Sequence, residues 1–242
     1  MFAKTKKMKS CVLMTVFSAA LMCATPLALA AQGDDNDDLE QLQTRLTNEW
    51  VMVRNDKIRN IQTFMRQEDG KQYRSFKVKA SLDGTVDAAV DILMNTQEFR
   101  KWYWEVIESR TLRQVSAAEH YMYMVHRAPA GLPDRDVILH VVVERFADGS
   151  NATLRINAVP DYIASKPPLV RMTAEDMTVR LNSLPGKRVQ VSVEGYIDPG
   201  GRIPAWAINF IQRQAPYKVM VGLARMLNND AAEVSASKAS GQ

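Results

Sequence analysis

Apolar and polar side chains alternate along much of the second half of the chain. Alternation with a period of two places successive side chains on opposite faces of a β-strand. The dipeptides Asp148-Gly149 and Pro185-Gly186 stand between alternating segments and favour hairpin turns. The pattern predicts an antiparallel sheet with one apolar, covered face and one wet face. The alternating segments are 73–80, 137–144, 152–158, 170–175 and 188–197.

Apolar residues spaced three or four apart predict three helices. The first begins after residue 38 and presents Leu39, Leu42 and Leu46 on one side. A break at Gly84 precedes the second, which spans 86–94. The third opens at Pro204, where a missing N–H costs nothing. Its predicted apolar face comprises Ala205, Ile208, Ile211 and Ala215.

Pro216 interrupts the pattern of the last helix. A proline inside a helix removes one hydrogen bond, so a break or kink is expected before the helix continues over 217–227. The element order is helix, strand, helix, many antiparallel strands and a long terminal helix. This order predicts an α+β fold in which one strongly curved sheet grips that helix. The concave apolar face is filled either by side chains alone or by a ligand in a cavity.

The first thirty residues have the pattern of a secretory signal peptide. Lysines at positions 4, 6, 7 and 9 precede an apolar stretch over 11–24, and small residues end the segment near Ala30. The stretch is shorter than the ~20 residues that a membrane-spanning helix needs. We therefore expect cleavage after Ala30 and a periplasmic location, with full secretion as the alternative. The predicted boundaries are 1–30 signal peptide, 31–38 disordered acidic leader, 39–227 folded domain and 228–242 disordered tail.

Charge and cysteine content change once residues 1–30 are set apart. They contain four of the 31 Lys and Arg residues and none of the 27 Asp and Glu residues, so the rest of the chain has 27 of each sign. The net positive charge of the full chain thus comes from the predicted signal peptide and gives no argument for a nucleic-acid partner. Cys11 and Cys23 both lie in the same segment, which excludes thiol chemistry and cysteine-ligated metal from the remainder.

Two segments resemble the START (steroidogenic acute regulatory protein-related lipid transfer) domain family. Residues 196–209 contain an Asp-Pro-Gly-Gly turn, an Ile-Pro helix start and a Trp/Asn pair in the family's order. Residues 133–137 resemble the family's Arg-Asp strand opening and follow a matching strand over 121–125. Together with weaker matches, the resemblance covers 39–227. It implies a helix-grip fold with an apolar tunnel in a secreted bacterial member.

The resemblance also implies where a ligand would bind. The terminal helix covers the tunnel in this family, and Arg202 to Pro216 is a candidate lid. Arg135 and Asp136 are interpreted either as an ion pair or as a contact to a polar ligand group. The candidate tunnel wall or lid residues are Met122, Met124, Arg135, Val137, Leu139, Val141, Trp206, Asn209 and Phe210.

The predicted wall departs from that of cholesterol-binding members. Those carry charged residues inside the tunnel, on the strand that the Arg-Asp pair opens and on the preceding strand. Here the inward positions of these two strands are valine, leucine and methionine. A wholly apolar wall cannot orient a hydroxyl group by side-chain hydrogen bonds. The ligand is therefore left open among sterol, hopanoid, isoprenoid, phospholipid and fatty acid.

No motif of a hydrolase, metalloprotease or phosphate-binding loop is present. His120, His126 and His140 are the only histidines, and all three are expected to be solvated. No catalytic residue, metal or cofactor is predicted. The preferred function is lipid binding by a monomer that carries or senses its ligand, with transient membrane-surface contact. The alternatives are a START-like enzyme, such as a cyclase or hydrolase, and a protein-binding module whose cavity is filled.

Overall fold

The computed structural model describes residues 48–240, with side chains described to residue 232. The predicted signal peptide, the acidic leader and the start of the first predicted helix lie outside the described residues. The elements in chain order are β1 Val51–Asp56, β2 Ile61–Arg66, β3 Ser75–Asp83, α1 Val86–Met94, a 3-10 turn Thr96–Glu98, α2 Phe99–Trp102, β4 Val106–Ser116, β5 Glu119–His126, β6 Arg135–Arg145, β7 Asn151–Ala158, β8 Val170–Arg171, β9 Ala174–Leu184, β10 Arg188–Asp198 and α3 Ala205–Ser240.

The strands form one open sheet in the order β1-β2-β3-β10-β9-β7-β6-β5-β4. Neighbours along this order pair antiparallel, while the two-residue β8 pairs parallel with β6. Helix α3 packs on the sheet and also contacts α1 and α2. The predicted α+β fold, an antiparallel sheet gripping a long C-terminal helix, is confirmed. Within 48–240 no helix has the length and apolar character needed to cross a membrane.

The predicted alternation is confirmed on β6. Val137, Leu139, Val141 and Val143 are buried in the main core, beneath the helices. Ile138 points to the opposite face, where a wet surface was expected, but it is also buried. It packs there with Tyr123 and Val125 beneath the apolar side chains of the segment 159–169. Part of the outer face of the sheet is thus covered by a connection.

Local signals fix α1 at its predicted bounds. Gly84 ends β3 with a positive φ of 136°, which favours glycine. The Thr85 side chain then accepts a hydrogen bond from the backbone N–H of Ala88 and caps the helix. A Cβ at position 84 would lie 2.9 Å from Leu227 Cδ2, so this turn also lets α3 approach closely.

Helix α3 is longer than predicted. It passes through Pro216 without ending and continues to Ser240, where a disordered tail over 228–242 was expected. Residues 228–240 include Ala, Glu and Lys, which favour helix, and extending an existing helix costs far less than nucleating one. Composition alone therefore gave the wrong prediction for this segment up to residue 240.

Candidate functional site

A cavity of about 130 Å³ lies between the sheet and the N-terminal half of α3. One buried water needs ~10–15 Å³, so the space is roughly ten times larger. The cavity weighs against the alternative in which side chains fill the interior. Apolar side chains from the sheet and helix line most of it: Met65, Phe76, Val78, Met172, Met177, Val193, Ile197, Ile208, Ile211, Ala215, Val219 and Met220.

Helix α3 supplies one wall of the cavity through Ile208, Ile211 and Ala215, the face predicted from their spacing. Ala205, predicted on the same face, is instead exposed at the first turn. The Gln212 side chain donates a hydrogen bond to the backbone carbonyl of Arg74, 3.3 Å away. This contact ties the helix to the start of β3.

The chain enters α3 through a tight turn at Gly200 and Gly201, whose φ angles are 66° and 59°. A Cβ at position 200 would collide with the backbone carbonyl of Arg171. The Asp-Pro-Gly-Gly segment identified in the sequence thus forms the turn that leads into the terminal helix. The turn packs on β8, and the neighbouring Pro199 lines the cavity.

Polar side chains gather at one part of the cavity wall. His126 on β5 and Arg135 on β6 are directly paired across the two strands, so their side chains lie side by side on the inner face. The Nε2 atom of His126 lies 3.7 Å from Oε2 of Glu175, beyond hydrogen-bonding distance but within range of an ion pair. The Tyr103 ring packs edge-on against the His126 ring. The cavity is therefore not wholly apolar.

Glu175 is the most deeply buried of these polar groups, at 1% exposure. Neither of its carboxylate oxygens has a hydrogen-bond partner of good geometry. Loss of hydration, followed by the negative charge of Glu175, raises the pKa of the Tyr103 phenol well above its usual value. Tyr103 thus stays a neutral donor that can face this carboxylate.

The alternation read across 170–175 predicts Glu175 on the polar face, and this prediction is wrong. Met172 lines the cavity as expected, but the ladder is interrupted between β8 and β9. The alternation of inward and outward side chains shifts by one residue there, so Glu175 lies on the buried face together with Val179 and Leu181. A one-residue shift in a strand turns every following side chain over.

Arg135 and Asp136 do not form the ion pair considered from sequence. Consecutive strand residues point to opposite faces, and Asp136 binds Arg171 instead. The Arg171 Nε and Nη2 atoms donate to the two Asp136 oxygens at 3.0 and 2.9 Å. Arg135 faces the cavity, where one terminal nitrogen donates to the Pro133 carbonyl. Its Nε and Nη2 atoms have no partner.

Arg74 is a second buried cation that sequence reasoning missed. It lies just before β3, lines the cavity and is 6% exposed. Its Nη1 atom has no hydrogen-bond partner. Burial lowers the pKa of its guanidinium. Nothing in the local pattern signals this, since Arg74 stands among polar residues between two strands.

The other sequence-predicted site residues lie elsewhere. Met122, Met124, Val137, Leu139 and Val141 are buried in the core and do not line the cavity. Trp206 and Phe210 are about half exposed on the outer side of α3, and Asn209 is partly buried. The Phe210 ring lies 6.2 Å from the Trp104 ring, and Trp104 does line the cavity. Arg135 is the one predicted residue that the structure places at the cavity wall.

The prediction that all three histidines are solvated is wrong for two of them. His120 is 1% exposed, and loss of hydration followed by the nearby His140 lowers its pKa. His126 lines the cavity, as described above. His140 is on the outer face, where its Nε2 atom lies 2.8 Å from Oε1 of Glu119.

Comparison with known proteins identifies the fold. No family model matches the chain. An uncharacterised protein of Pseudomonas aeruginosa is 22% identical over 178 residues, which are 74% of this chain and 86% of that protein.

Among solved structures, a STAR-related lipid transfer protein fragment from Xanthomonas axonopodis superposes with a TM-score of 0.67 at 27% identity, covering 74% of this chain and 98% of that one. Human StAR-related lipid transfer protein 5 also gives 0.67, at 16% identity, over 80% and 94% of the two chains. Human STARD10 gives 0.63 at 19% identity, over 81% and 80%. The predicted relation to START domains is confirmed, and the chain has the START helix-grip fold.

Proposed function

We propose that this START-fold protein binds a lipid or another hydrophobic small molecule in its internal cavity and carries or senses it in the periplasm. The observation that carries the proposal is the cavity itself, an apolar space roofed by α3. Ligand sites are typically concave, mostly apolar and fitted with a few placed polar groups. The wall formed by Phe76, Met177 and Ile211, with Arg135 and Glu175 among the polar groups, has this composition.

Unfilled apolar space is costly to a folded protein. A buried cavity forfeits dispersion contacts, and its cost rises with its volume. A ligand that fills the space recovers those contacts and transfers its own apolar surface out of water. Binding should therefore stabilise the fold by an amount that rises with the ratio of free ligand concentration to Kd.

The periplasmic location rests on residues 1–30 alone. Their lysines, apolar stretch and small residues near Ala30 support export and cleavage. Fractionation of the producing cell, with N-terminal sequencing of the purified protein, tests this part of the proposal. A cytosolic protein that retains residues 1–30 would refute it.

Release of a ligand requires the roof of the cavity to move. We propose that the roof touches a membrane transiently during this step. Trp206 and Phe210 lie on the outer side of the roof, next to the cavity wall, and are about half exposed. Exposed aromatic side chains favour the interface between membrane and water. A double W206A/F210A variant should transfer ligand to vesicles more slowly while binding it normally; unchanged transfer would argue against this contact.

The direct test of ligand binding is extraction of the protein from its own cell. We expect mass spectrometry of the organic extract to detect a hydrophobic compound in near-stoichiometric amount. A cavity-filling variant, Ala215→Phe, should lose that compound. Arg213→Phe, on the exposed side of the same helix, should retain it. An empty wild-type protein that binds no lipid added in vitro would contradict the proposal.

A second candidate function, an enzyme acting on a hydrophobic substrate, has one observation in its favour. The His126 imidazole, the Glu175 carboxylate and the Tyr103 phenol meet at the cavity wall. Such clusters of buried titratable groups are common at catalytic sites. Prolonged incubation with the extracted compound distinguishes the two functions, because a carrier returns it unchanged and an enzyme converts it.

A further inference from the structure

Two buried arginines distinguish this cavity from a plain apolar tunnel. Building on the proposed function, we propose that the ligand is an amphiphile whose carboxylate or phosphate group is bound by Arg74 and Arg135, while its apolar part lies against the methionine, phenylalanine and isoleucine side chains. An apolar tunnel alone would not select this class of ligand.

Both guanidinium groups are almost fully removed from solvent. Arg74 is 6% exposed and Arg135 is 4% exposed, and both line the cavity. Three of their nitrogen atoms lack a hydrogen-bond acceptor: Nη1 of Arg74 and Nε and Nη2 of Arg135. Arginine keeps its charge at any physiological pH, so it cannot avoid the cost of burial by losing a proton.

No carboxylate among the described residues pairs directly with either of these two cations. Within the described part of the chain, neither arginine has a carboxylate oxygen within 4.0 Å. Burial lowers the pKa of Arg135, and the charge of Asp134 only partly opposes this effect. The Oδ1 atom of Asp134 accepts the backbone N–H of Ala128 instead of pairing with Arg135. Glu175 faces His126 and Tyr103.

The charges that line the cavity sum to an excess of one positive charge. Arg74 and Arg135 contribute two, and Glu175 offsets one. Glu105 and Arg127, which also border the cavity, are exposed and cancel each other. These five side chains are the aspartate, glutamate, lysine and arginine residues of the cavity lining. One ligand anion would therefore balance the cavity.

The geometry of the two arginines suits an oxyanion. A guanidinium presents parallel N–H groups that match the oxygens of a carboxylate or phosphate. Arg135 opens β6, and Arg74 stands directly before β3, on the other side of the sheet's central strands. Both side chains line the same cavity, and each has at least one N–H group there without a partner in the protein.

Three probes with the same twelve-carbon chain test the inference: dodecanoate, dodecyl phosphate and dodecan-1-ol. Titration calorimetry on the purified, delipidated protein at pH 7.5 should give at least one anion a Kd about 10-fold to 100-fold below that of the alcohol. That range corresponds to one charge-assisted hydrogen bond. The anion preferred, carboxylate or phosphate, then identifies the chemical source of the charge.

Substitutions of the two arginines test whether they cause the preference for an anion over the alcohol. R74Q and R135Q should each remove most of the preference for the anion and leave the Kd of the alcohol within about threefold. R135K should keep part of the preference because it keeps the charge. R180Q, at an exposed position on β9, serves as the matched control and should bind like the wild type. Thermal unfolding checks that each variant is folded.

Two results would overturn the inference while leaving the proposed function intact. One is a wild-type protein that binds the alcohol as tightly as both anions, a comparison that needs no variant to fold. The other is a uniform loss of affinity for all three probes in R74Q and R135Q, which would make the arginines structural. Binding of none of the probes would count against both proposals.

Discussion

The two halves of α3 meet the rest of the molecule in different ways. In the C-terminal half, Leu223 and Leu227 are buried in the main core. Gly222 approaches the backbone of Trp102 so closely that a Cβ there would collide with the Trp102 carbonyl. In the N-terminal half, Ile208 and Ile211 face a cavity, and Phe210 faces outward.

This contrast shows how one helix can both anchor a fold and cover its binding site. Close packing fixes the C-terminal half, because displacing it would expose apolar core to water. The N-terminal half borders the cavity, so part of its inner face does not pack against core side chains. Pro216 lies within the N-terminal half and lacks the N–H that would bond to the preceding turn. The lid segment predicted from sequence, Arg202 to Pro216, includes the cavity-lining residues Ile208, Ile211 and Ala215 and is proposed to move.

Cross-linking the lid segment, Arg202 to Pro216, to the rest of the protein should have the largest effect, and it should act on the rate of ligand exchange. A W104C/F210C variant joined by a short bifunctional thiol reagent would hold the N-terminal half of α3 against the segment between α2 and β4. Their rings are 6.2 Å apart, and residues 31–242 contain no other cysteine. We expect the rate of ligand exchange with vesicles to fall at least about tenfold, since the cavity cannot open.

The matched control is a cross-link between the C-terminal half of α3 and helix α2. Arg225 Nη2 donates to the Lys101 carbonyl at 2.9 Å, and both side chains are exposed. A cross-linked K101C/R225C variant should exchange ligand at the wild-type rate. Equal slowing in both variants, or in neither, would contradict the distinction between the two halves.

Truncating side chains should produce the next largest effect. Leu227 is 1% exposed, so Leu227→Ala is expected to lower the free energy of unfolding by about 2–5 kcal/mol. Ile211→Ala removes a side chain that already borders the cavity and should cost about 1 kcal/mol. Urea unfolding of both variants measures the difference. A loss at Ile211 as large as that at Leu227 would mean that the N-terminal half is packed like the core.

A hydrogen bond made by Tyr217, directly after Pro216, gives the smallest effect. The Tyr217 hydroxyl donates to Oδ2 of Asp56 at 2.7 Å and ties α3 to the end of β1. This hydrogen bond, with smaller contributions from Arg59, lowers the pKa of Asp56 to about 2. Tyr217→Phe should raise the Asp56 pKa toward its usual value near 4, as an NMR titration would measure.

The sign of the accompanying stability change follows from the direction of this shift. A carboxyl group with a lower pKa in the folded state stabilises the fold above its unfolded pKa, and this stabilisation is lost as pH falls from about 4 to 2. Tyr217→Phe should reduce that acid sensitivity. Glu68, whose pKa is also lowered to about 2 by other partners, is the internal control and should titrate unchanged. An unaltered Asp56 pKa would show that the contact is absent in solution.

Periodicity and turn residues predicted the fold well because they report local physics. The Thr85 cap and the glycine at position 84 set the bounds of α1, and alternation set the buried face of β6. The end of α3 was missed because composition cannot tell a free tail from the extension of an existing helix. The covered outer face at Ile138 was missed because burial there depends on a connection distant in sequence.

The site was harder to predict than the fold. Arg135 could be proposed, since it opens a strand within a recognisable motif. Glu175 could not, because a single shift in strand phase between Met172 and Glu175 reverses which side chains face inward. Arg74 and His126 carry no local signal of burial, and only the tertiary arrangement brings them to one cavity.

Photoaffinity labelling tests the central claim most directly, that a hydrophobic ligand occupies the space beneath the N-terminal half of α3. A twelve-carbon fatty acid and the matching alcohol, each with a diazirine near the methyl end, would be irradiated with the protein and the adducts mapped by peptide mass spectrometry. We predict adducts on cavity residues such as Met177, Ile211 and Met220, competed by unlabelled ligand. Adducts confined to exposed side chains such as Phe146, without competition, would contradict the account.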